Sequence, residues 1–146
     1  MNDVTLAMTM AAKAHSHQVD KLGAPYISHP ERVAANFDPV QQPEESCVAW
    51  LHDVFEDTPL TASDLTAAGF SPEVVEAVSV LTRRSEVPTE LYYARIRENP
   101  IALAVKLADV ADNSAPWRTA QLDPETRERL AAKYAKAREA LGVGAE

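Results

Sequence analysis

The chain of 146 residues contains a single cysteine, Cys47, and only four glycines. One cysteine excludes an internal disulfide and a cluster of thiolate ligands for structural zinc, and it is typical of a reducing cytoplasm. No stretch approaches the roughly 20 apolar residues of a membrane span. The N-terminus also lacks the basic start and apolar run of a secretory signal. We therefore expect a cytoplasmic protein.

Basic residues are also scarce. Lysine and arginine number 14 against 22 aspartates and glutamates, which gives a net charge of −8. This balance argues against non-specific binding to nucleic acid or to an anionic membrane, so we expect neither as a partner. An anionic small molecule would need a local cation or a metal. The oligomeric state stays open.

The remaining composition, 46% apolar and 25% charged residues, is typical of one globular domain over residues 1–146. Sustained alternation of apolar and polar residues is absent, and the ten prolines separate segments of helical periodicity. The sequence therefore predicts an all-α, single-domain helical bundle. The predicted helices cover residues 4–17, 30–37, 43–56, 61–68, 71–81, 91–99, 101–113 and 124–141.

Four ionisable groups interrupt the otherwise apolar segment 47–57: His52, Asp53, Glu56 and Asp57. On one continuous helix, at about 100° per residue, they gather on one arc opposite the apolar face. Charged groups on an element that packs into a core need partners or a metal, because burying them unpaired is costly. A solvent-exposed polar face is the alternative interpretation.

Matching groups occur in two other segments. His29 stands at a predicted helix start, and Lys106, Asp109 and Asn113 share one stripe of a helix because they are spaced i, i+3 and i+7. An internal ion pair between Lys106 and Asp109 is the plainer explanation of that stripe. Two imidazoles and two carboxylates would form a mixed nitrogen and oxygen site, which suits Mn²⁺, Fe²⁺ or Zn²⁺ better than Ca²⁺. These four candidates are His29, His52, Asp53 and Asp109.

The order of these motifs resembles a known family. The chain is similar to the hydrolase domain of RelA/SpoT-type alarmone enzymes and to the stand-alone small alarmone hydrolases, within the HD-domain metal-dependent phosphohydrolases. The segments that carry the resemblance are Ala-His-x-x-Gln at 14–18, Gly-x-Pro-Tyr-Ile-Ser-His-Pro at 23–30, Leu-His-Asp-Val-Phe-Glu-Asp-Thr-Pro at 51–59, Leu-Thr-Arg at 81–83 and Val-Lys-Leu-Ala-Asp-x-x-x-Asn at 105–113.

The resemblance implies an HD-type fold and an enzyme that removes the 3′-pyrophosphate from a (p)ppGpp-like alarmone. It also implies a divalent metal, for which we expect Mn²⁺. Cations near the site would offset the charge of such a substrate. The implied metal ligands are His29, His52, Asp53 and Asp109, the implied catalytic pair is Glu56 and Asp57, and the expected substrate-binding residues are Lys21, Arg83, Lys106 and Asn113.

The chain departs from the family pattern in two places. Members that cleave guanosine tetraphosphate carry an arginine that packs on the guanine two residues after the glutamine; here Asp20 follows Gln18 at that spacing. A carboxylate cannot supply the cation–π contact. After Asp109 the family often has Arg or Leu and then His before the asparagine, whereas here Val110, Ala111 and Asp112 occur.

Two further hypotheses remain beside alarmone hydrolysis. One is an HD hydrolase of another nucleotide or phosphoester, which Asp20 favours. The other is a regulatory domain that binds a nucleotide without turnover, although a binder has no need of the acidic pair Glu56 and Asp57. For Trp117 and Arg118, just past the helix that carries Asp109, exposed packing is the default interpretation and a place lining the site is the alternative.

Overall fold

The computed structural model describes residues 2–142, so Met1 and residues 143–146, which end the predicted domain, lie outside the described residues. The described part contains ten helices and no strand, which confirms the predicted all-α fold. No helix within it is both long and apolar enough to cross a membrane. The helices are α1 (Val4–Ala14), α2 (Ser28–Ala34), α3 (Pro43–Leu51), α4 (Val54–Asp57), α5 (Ala62–Ala67), α6 (Pro72–Leu81), α7 (Thr89–Arg97), α8 (Pro100–Asn113), α9 (Pro116–Thr119) and α10 (Pro124–Ala140).

Local sequence signals explain where most helices begin. Ser71, Asn99 and Asp123 cap α6, α8 and α10, and each accepts a hydrogen bond from the backbone N–H three residues further on. A proline follows each cap. Proline suits this first helical position because a backbone N–H there would have no partner within the helix. Thr61 opens α5 with the predicted capping box. Gly142 ends α10 at φ +85°, a conformation that glycine adopts without strain.

The prediction of one continuous helix over residues 43–56 was wrong. α3 ends at Leu51, Asp53 leaves the helical conformation at φ −104°, ψ 1°, and α4 starts at Val54. The His52 ring Nδ1 donates to the Ala49 carbonyl at 2.7 Å, so a side chain caps a carbonyl near the end of α3. The break turns Asp53 away from the position that a continuous helix would give it.

The end of the first helix and the short helix α9 also differ from prediction. The first helix stops at Ala14 rather than at residue 17, because the chain turns at His15 into the loop before α2. In that loop Val19 and Pro25 form an antiparallel bridge. The short helix α9 was not predicted, since four residues carry too little periodicity to be recognised.

Helices α3 and α8 form the centre of the bundle. α3 packs against α1, α2, α6 and α8, and α8 also packs against α2, α6, α7 and α10. Val48, Leu51 and Val105 are fully buried between them. The end of α3, the start of α2 and the second half of α8 therefore meet, and this junction brings the predicted site residues together.

Candidate metal centre and active site

Two imidazoles and two carboxylates converge where α2, α3 and α8 meet; we call His29, His52, Asp53 and Asp109 the His–Asp cluster. His29, His52 and Asp53 each offer one ligand atom, and these atoms all lie within 4.8 Å of one another. Asp109 Oδ1 lies 2.8 Å from His29 Nε2 and 3.5 Å from His52 Nε2. The four residues that were predicted as metal ligands are thus neighbours in space.

The chain positions each member of the cluster through a different element. His29 lies in the first turn of α2, His52 directly follows α3, and Asp109 lies in the second half of α8. Asp53 occupies the break between α3 and α4, where the Tyr26 hydroxyl donates a hydrogen bond to its Oδ2. His52, the C-cap of α3, and Asp53, the N-cap of α4, reach the same centre although they are adjacent in sequence.

One ring hydrogen of His52, that on Nδ1, is fixed by its surroundings. Its Nδ1 donates to the Ala49 carbonyl, so in the neutral ring the lone pair is on Nε2. That Nε2 is fully buried and makes no hydrogen bond, although Asp53 Oδ2 is 3.1 Å away. An unpaired buried nitrogen beside two carboxylates is what a missing cation would leave, so the donor set fits a divalent metal.

The electrostatics of the cluster agree with that fit. Burial opposes charge on the imidazoles, but the adjacent carboxylates outweigh it and raise the pKa of both His29 and His52. Burial likewise opposes charge on Asp109, yet hydrogen bonding from His29 and the charges of His52 and Lys106 hold the pKa of Asp109 well below its usual range. The cluster therefore keeps its carboxylates anionic and requires positive charge nearby.

Two further carboxylates face the cluster. Glu56 and Asp57, on α4, line the same cleft of about 280 Å³ as His29, Asp53 and Asp109. Burial raises the pKa of both Glu56 and Asp57, and the Asp53 charge raises each further. A carboxylate with a raised pKa accepts protons more readily near neutral pH, so this pair can serve as a general base.

Backbone contacts hold the acidic pair in place. Glu56 Oε1 accepts a hydrogen bond from the Arg83 backbone N–H. Gln18 Nε2 donates to the Asp57 carbonyl at 2.9 Å, and Gln18 Oε1 is 3.0 Å from Nδ1 of the buried His15. The Ala-His-x-x-Gln motif of the sequence therefore supports α4 from the end of α1.

The predicted substrate-binding residues are divided between three recesses. Lys106 and Asn113 line the cleft, where Lys106 Nζ and Asn113 Nδ2 donate to Asp109 at 3.2 and 3.1 Å. The ion pair that was the plainer explanation of Lys106 and Asp109 is therefore present as well. Arg83 lines an adjoining recess of about 190 Å³. Lys21 is exposed and lines a neighbouring, largely apolar cavity of about 250 Å³.

For several residues of the cleft the sequence favoured a different place or gave no indication. Arg118, predicted to be in exposed packing, has a side chain only 12% exposed, and its Nη1 donates to Asp20 Oδ2 at 3.2 Å. Lys133, Tyr134 and Tyr93 also line the cleft. The contact between Arg118 and Asp20 spans 98 residues, so periodicity cannot reveal it; the acid in place of an expected arginine was the available signal.

Comparisons with known proteins show which sequences and structures this chain is similar to. No family model matches the chain. The chain is 35% identical over 134 residues to the bifunctional (p)ppGpp synthase/hydrolase SpoT of Escherichia coli and 35% identical over 131 residues to a guanosine-3′,5′-bis(diphosphate) 3′-pyrophosphohydrolase of Haemophilus influenzae. These alignments cover 86% and 84% of the chain but only 19% of each relative. The chain thus spans about a fifth of the length of these curated relatives.

A solved structure extends the similarity to nearly the whole chain. It is described as a metazoan ortholog of SpoT that hydrolyzes ppGpp and plays a role in starvation responses. The two share 25% sequence identity and superpose with a TM-score of 0.74, over 97% of this chain and 87% of the other. The sequence and structure similarities confirm the predicted resemblance to the hydrolase domain of SpoT-type alarmone enzymes, with an all-α HD-type fold.

Proposed function

We propose that this chain is a metal-dependent phosphohydrolase that removes the 3′-pyrophosphate from a (p)ppGpp-like alarmone nucleotide. The observation that carries the proposal is that Glu56 and Asp57 line the same cleft as three members of the His–Asp cluster, His29, Asp53 and Asp109. A cluster that could hold a cation lies beside carboxylates that could accept a proton, and this pairing suits metal-dependent hydrolysis of a phosphate ester. The names of the relatives supply the substrate class.

His29, His52, Asp53 and Asp109 would hold the metal. A divalent cation there would supply positive charge to a phosphoryl group and increase the acidity of water. Glu56 and Asp57 would orient the attacking water and take up its proton, for which their raised pKa values suit them. The mixed nitrogen and oxygen donors favour Mn²⁺ as the ion in this proposal.

Local cations would bind the phosphates although the chain carries a net charge of −8. Lys106 and Lys133 line both the cleft and the adjoining recess, and Arg83 lines that recess. In this proposal Lys106 and Arg83 contact phosphate oxygens, Asn113 contacts the ribose side, and Lys21 lies at the edge of the neighbouring apolar cavity.

The guanidinium that the family places in the loop would come from Arg118 here. Asp20 Oδ1 accepts the backbone N–H groups of Leu22 and Ala24 at 2.9 and 3.0 Å, while its Oδ2 accepts from Arg118. Asp20 therefore shapes the loop and holds a cation between the cleft and the apolar cavity, both of which Arg118 lines. Reintroducing an arginine at residue 20 would remove these three hydrogen bonds and repel Arg118.

A reducing cytoplasm is the proposed location, because Cys47 is a buried free thiol. The negative net charge supports the absence of nucleic-acid partners and of anionic-membrane partners.

A substrate screen with added Mn²⁺ tests the proposed reaction. The purified chain is incubated with (p)ppGpp, ordinary nucleotides, dinucleoside phosphates and phosphomonoesters, with a chelator as control. We expect pyrophosphate release from the alarmone and none after chelation. Release of phosphate from a different substrate instead would support another HD hydrolase, and nucleotide binding without any product would support a regulatory domain; either result contradicts the proposal.

Replacing Glu56 by glutamine tests the acidic pair. The amide keeps an oxygen for the Arg83 N–H but cannot take up a proton, so we expect kcat to fall by about 10²-fold or more while Mn²⁺ binding is unchanged. Glu76→Gln, which neutralises an exposed carboxylate on α6, is the matched control. A Glu56→Gln enzyme with the wild-type kcat would remove this residue from the mechanism.

Replacing Arg118 by alanine tests nucleotide binding at the loop. Loss of a charge-assisted contact to the substrate should raise KM about tenfold or more and leave kcat nearly unchanged. Arg127→Ala removes the same charge from an exposed position of α10 and should leave KM unaltered. If Arg118 only stabilises the loop, the unfolding temperature will fall and KM will not move.

A further inference from the structure

Asp112 contacts the cluster residue His29 from outside the cluster. Asp112 Oδ2 lies 2.7 Å from His29 Nδ1, and this contact joins residues 83 positions apart. The Asp112 side chain is 9% exposed. Asp112 follows Asp109 by one turn of α8, and Asp109 Oδ1 lies 2.8 Å from the other ring nitrogen, Nε2. A single helix therefore contacts both nitrogens of the His29 ring.

Arg32 fixes Asp112 in turn. Its Nε donates to Asp112 Oδ1 at 2.7 Å and its Nη2 to Oδ2 at 3.1 Å, so the guanidinium contacts both carboxylate oxygens. Arg32 lies one turn after His29 on α2, and its guanidinium carbon stands 5.0 Å from the centre of the Trp117 ring. Both α2 residues thus bind one carboxylate of α8, and such a forked pair restricts its rotation.

These contacts determine which nitrogen of His29 can bind a cation. An ionised carboxylate only accepts hydrogen bonds, so Nδ1 must carry a hydrogen toward Asp112. By the same rule Nε2 donates to Asp109 Oδ1 at 2.8 Å, but Nε2 faces the cluster, so a cation bound there would take the place of that hydrogen while Nδ1 keeps its own. A carboxylate behind a ligating imidazole fixes its tautomer and orientation and strengthens it as a ligand.

We propose that Asp112, oriented by Arg32, is the positioning residue that directs His29 Nε2 toward the metal. The inference rests on the proposed metal centre. The two imidazoles are then held by different partners, His52 by the neutral Ala49 carbonyl and His29 by a carboxylate whose charge Arg32 balances. Neighbouring Asp109 is a ligand candidate itself, whereas Asp112 acts only through the ring of His29.

The competing interpretation is an ion pair between α2 and α8 that only stabilises the fold. The two roles differ in what they alter. A structural pair changes the stability of the metal-free protein and leaves the metal affinity untouched. A positioning residue changes the affinity for the ion, because the His29 ring can rotate or carry its hydrogen on the wrong nitrogen once the carboxylate is removed.

The test measures Mn²⁺ binding to the full chain without nucleotide, by competition with a fluorescent chelator, beside thermal unfolding of the metal-free protein. We expect Asp112→Ala to weaken Mn²⁺ binding about 10- to 100-fold. Asp112→Asn, which still offers an oxygen to Nδ1, should lose less, and Glu76→Gln should match the wild type. Excess Mn²⁺ should restore much of the hydrolysis by Asp112→Ala.

An Asp112→Ala protein that binds Mn²⁺ as tightly as the wild type overturns the proposal, whatever its unfolding temperature. If that variant does not fold, Arg32→Ala decides, because freeing Asp112 to rotate should still weaken Mn²⁺ binding several-fold; an unchanged Kd there has the same meaning. The readout needs no turnover, so a wild type that binds Mn²⁺ but hydrolyses nothing contradicts the proposed function alone. A wild type without Mn²⁺ affinity contradicts the metal centre itself.

Discussion

The burial of carboxylates beside imidazoles at the junction of α2, α3 and α8 is the constraint on which the rest of the structure depends. Asp53 and Asp109 are largely removed from water, and unpaired charge in such a place would be strongly destabilising. Without a cation, protons on His29 and His52 and the ammonium of Lys106 balance that charge, as their raised pKa values indicate. A divalent ion would supply the same positive charge at one point, and the buried Nε2 of His52, which has no hydrogen-bond partner, would then bind the ion in place of a proton.

The fold serves this junction in specific ways. At the break after α3, His52 caps the end of one helix and Asp53 the start of the next, and both side chains reach one centre. α8 carries Asp109 on one turn and Asp112 on the next, so the same helix contributes a ligand candidate and the partner of another. Around the acidic centre the cleft is lined by Lys106, Arg118 and Lys133, although the net charge of the chain is −8. These local cations would attract an anionic substrate that the overall charge repels.

Much of the architecture could be predicted from sequence because its signals are local. Caps followed by proline mark the starts of α6, α8 and α10, and the capping box at Thr61 marks α5. The break at Asp53 could not be predicted, since neither proline nor glycine occurs there and the hydrogen bond that accompanies it is made by the His52 side chain. The motifs were enough to name the four ligand candidates. The contacts of Asp112 with His29 and of Arg118 with Asp20 could not be predicted, because they cross 83 and 98 residues, a separation at which helical periodicity carries no information.

The most direct measurement is a crystal structure of the chain grown with Mn²⁺, with anomalous scattering used to locate the ion. The account predicts one manganese peak within coordination distance of His29 Nε2, His52 Nε2 and a carboxylate oxygen each from Asp53 and Asp109, with the His29 Nδ1 contact to Asp112 retained. A map without manganese between these side chains, or with the ion bound elsewhere while the four residues remain paired with one another, would contradict the account.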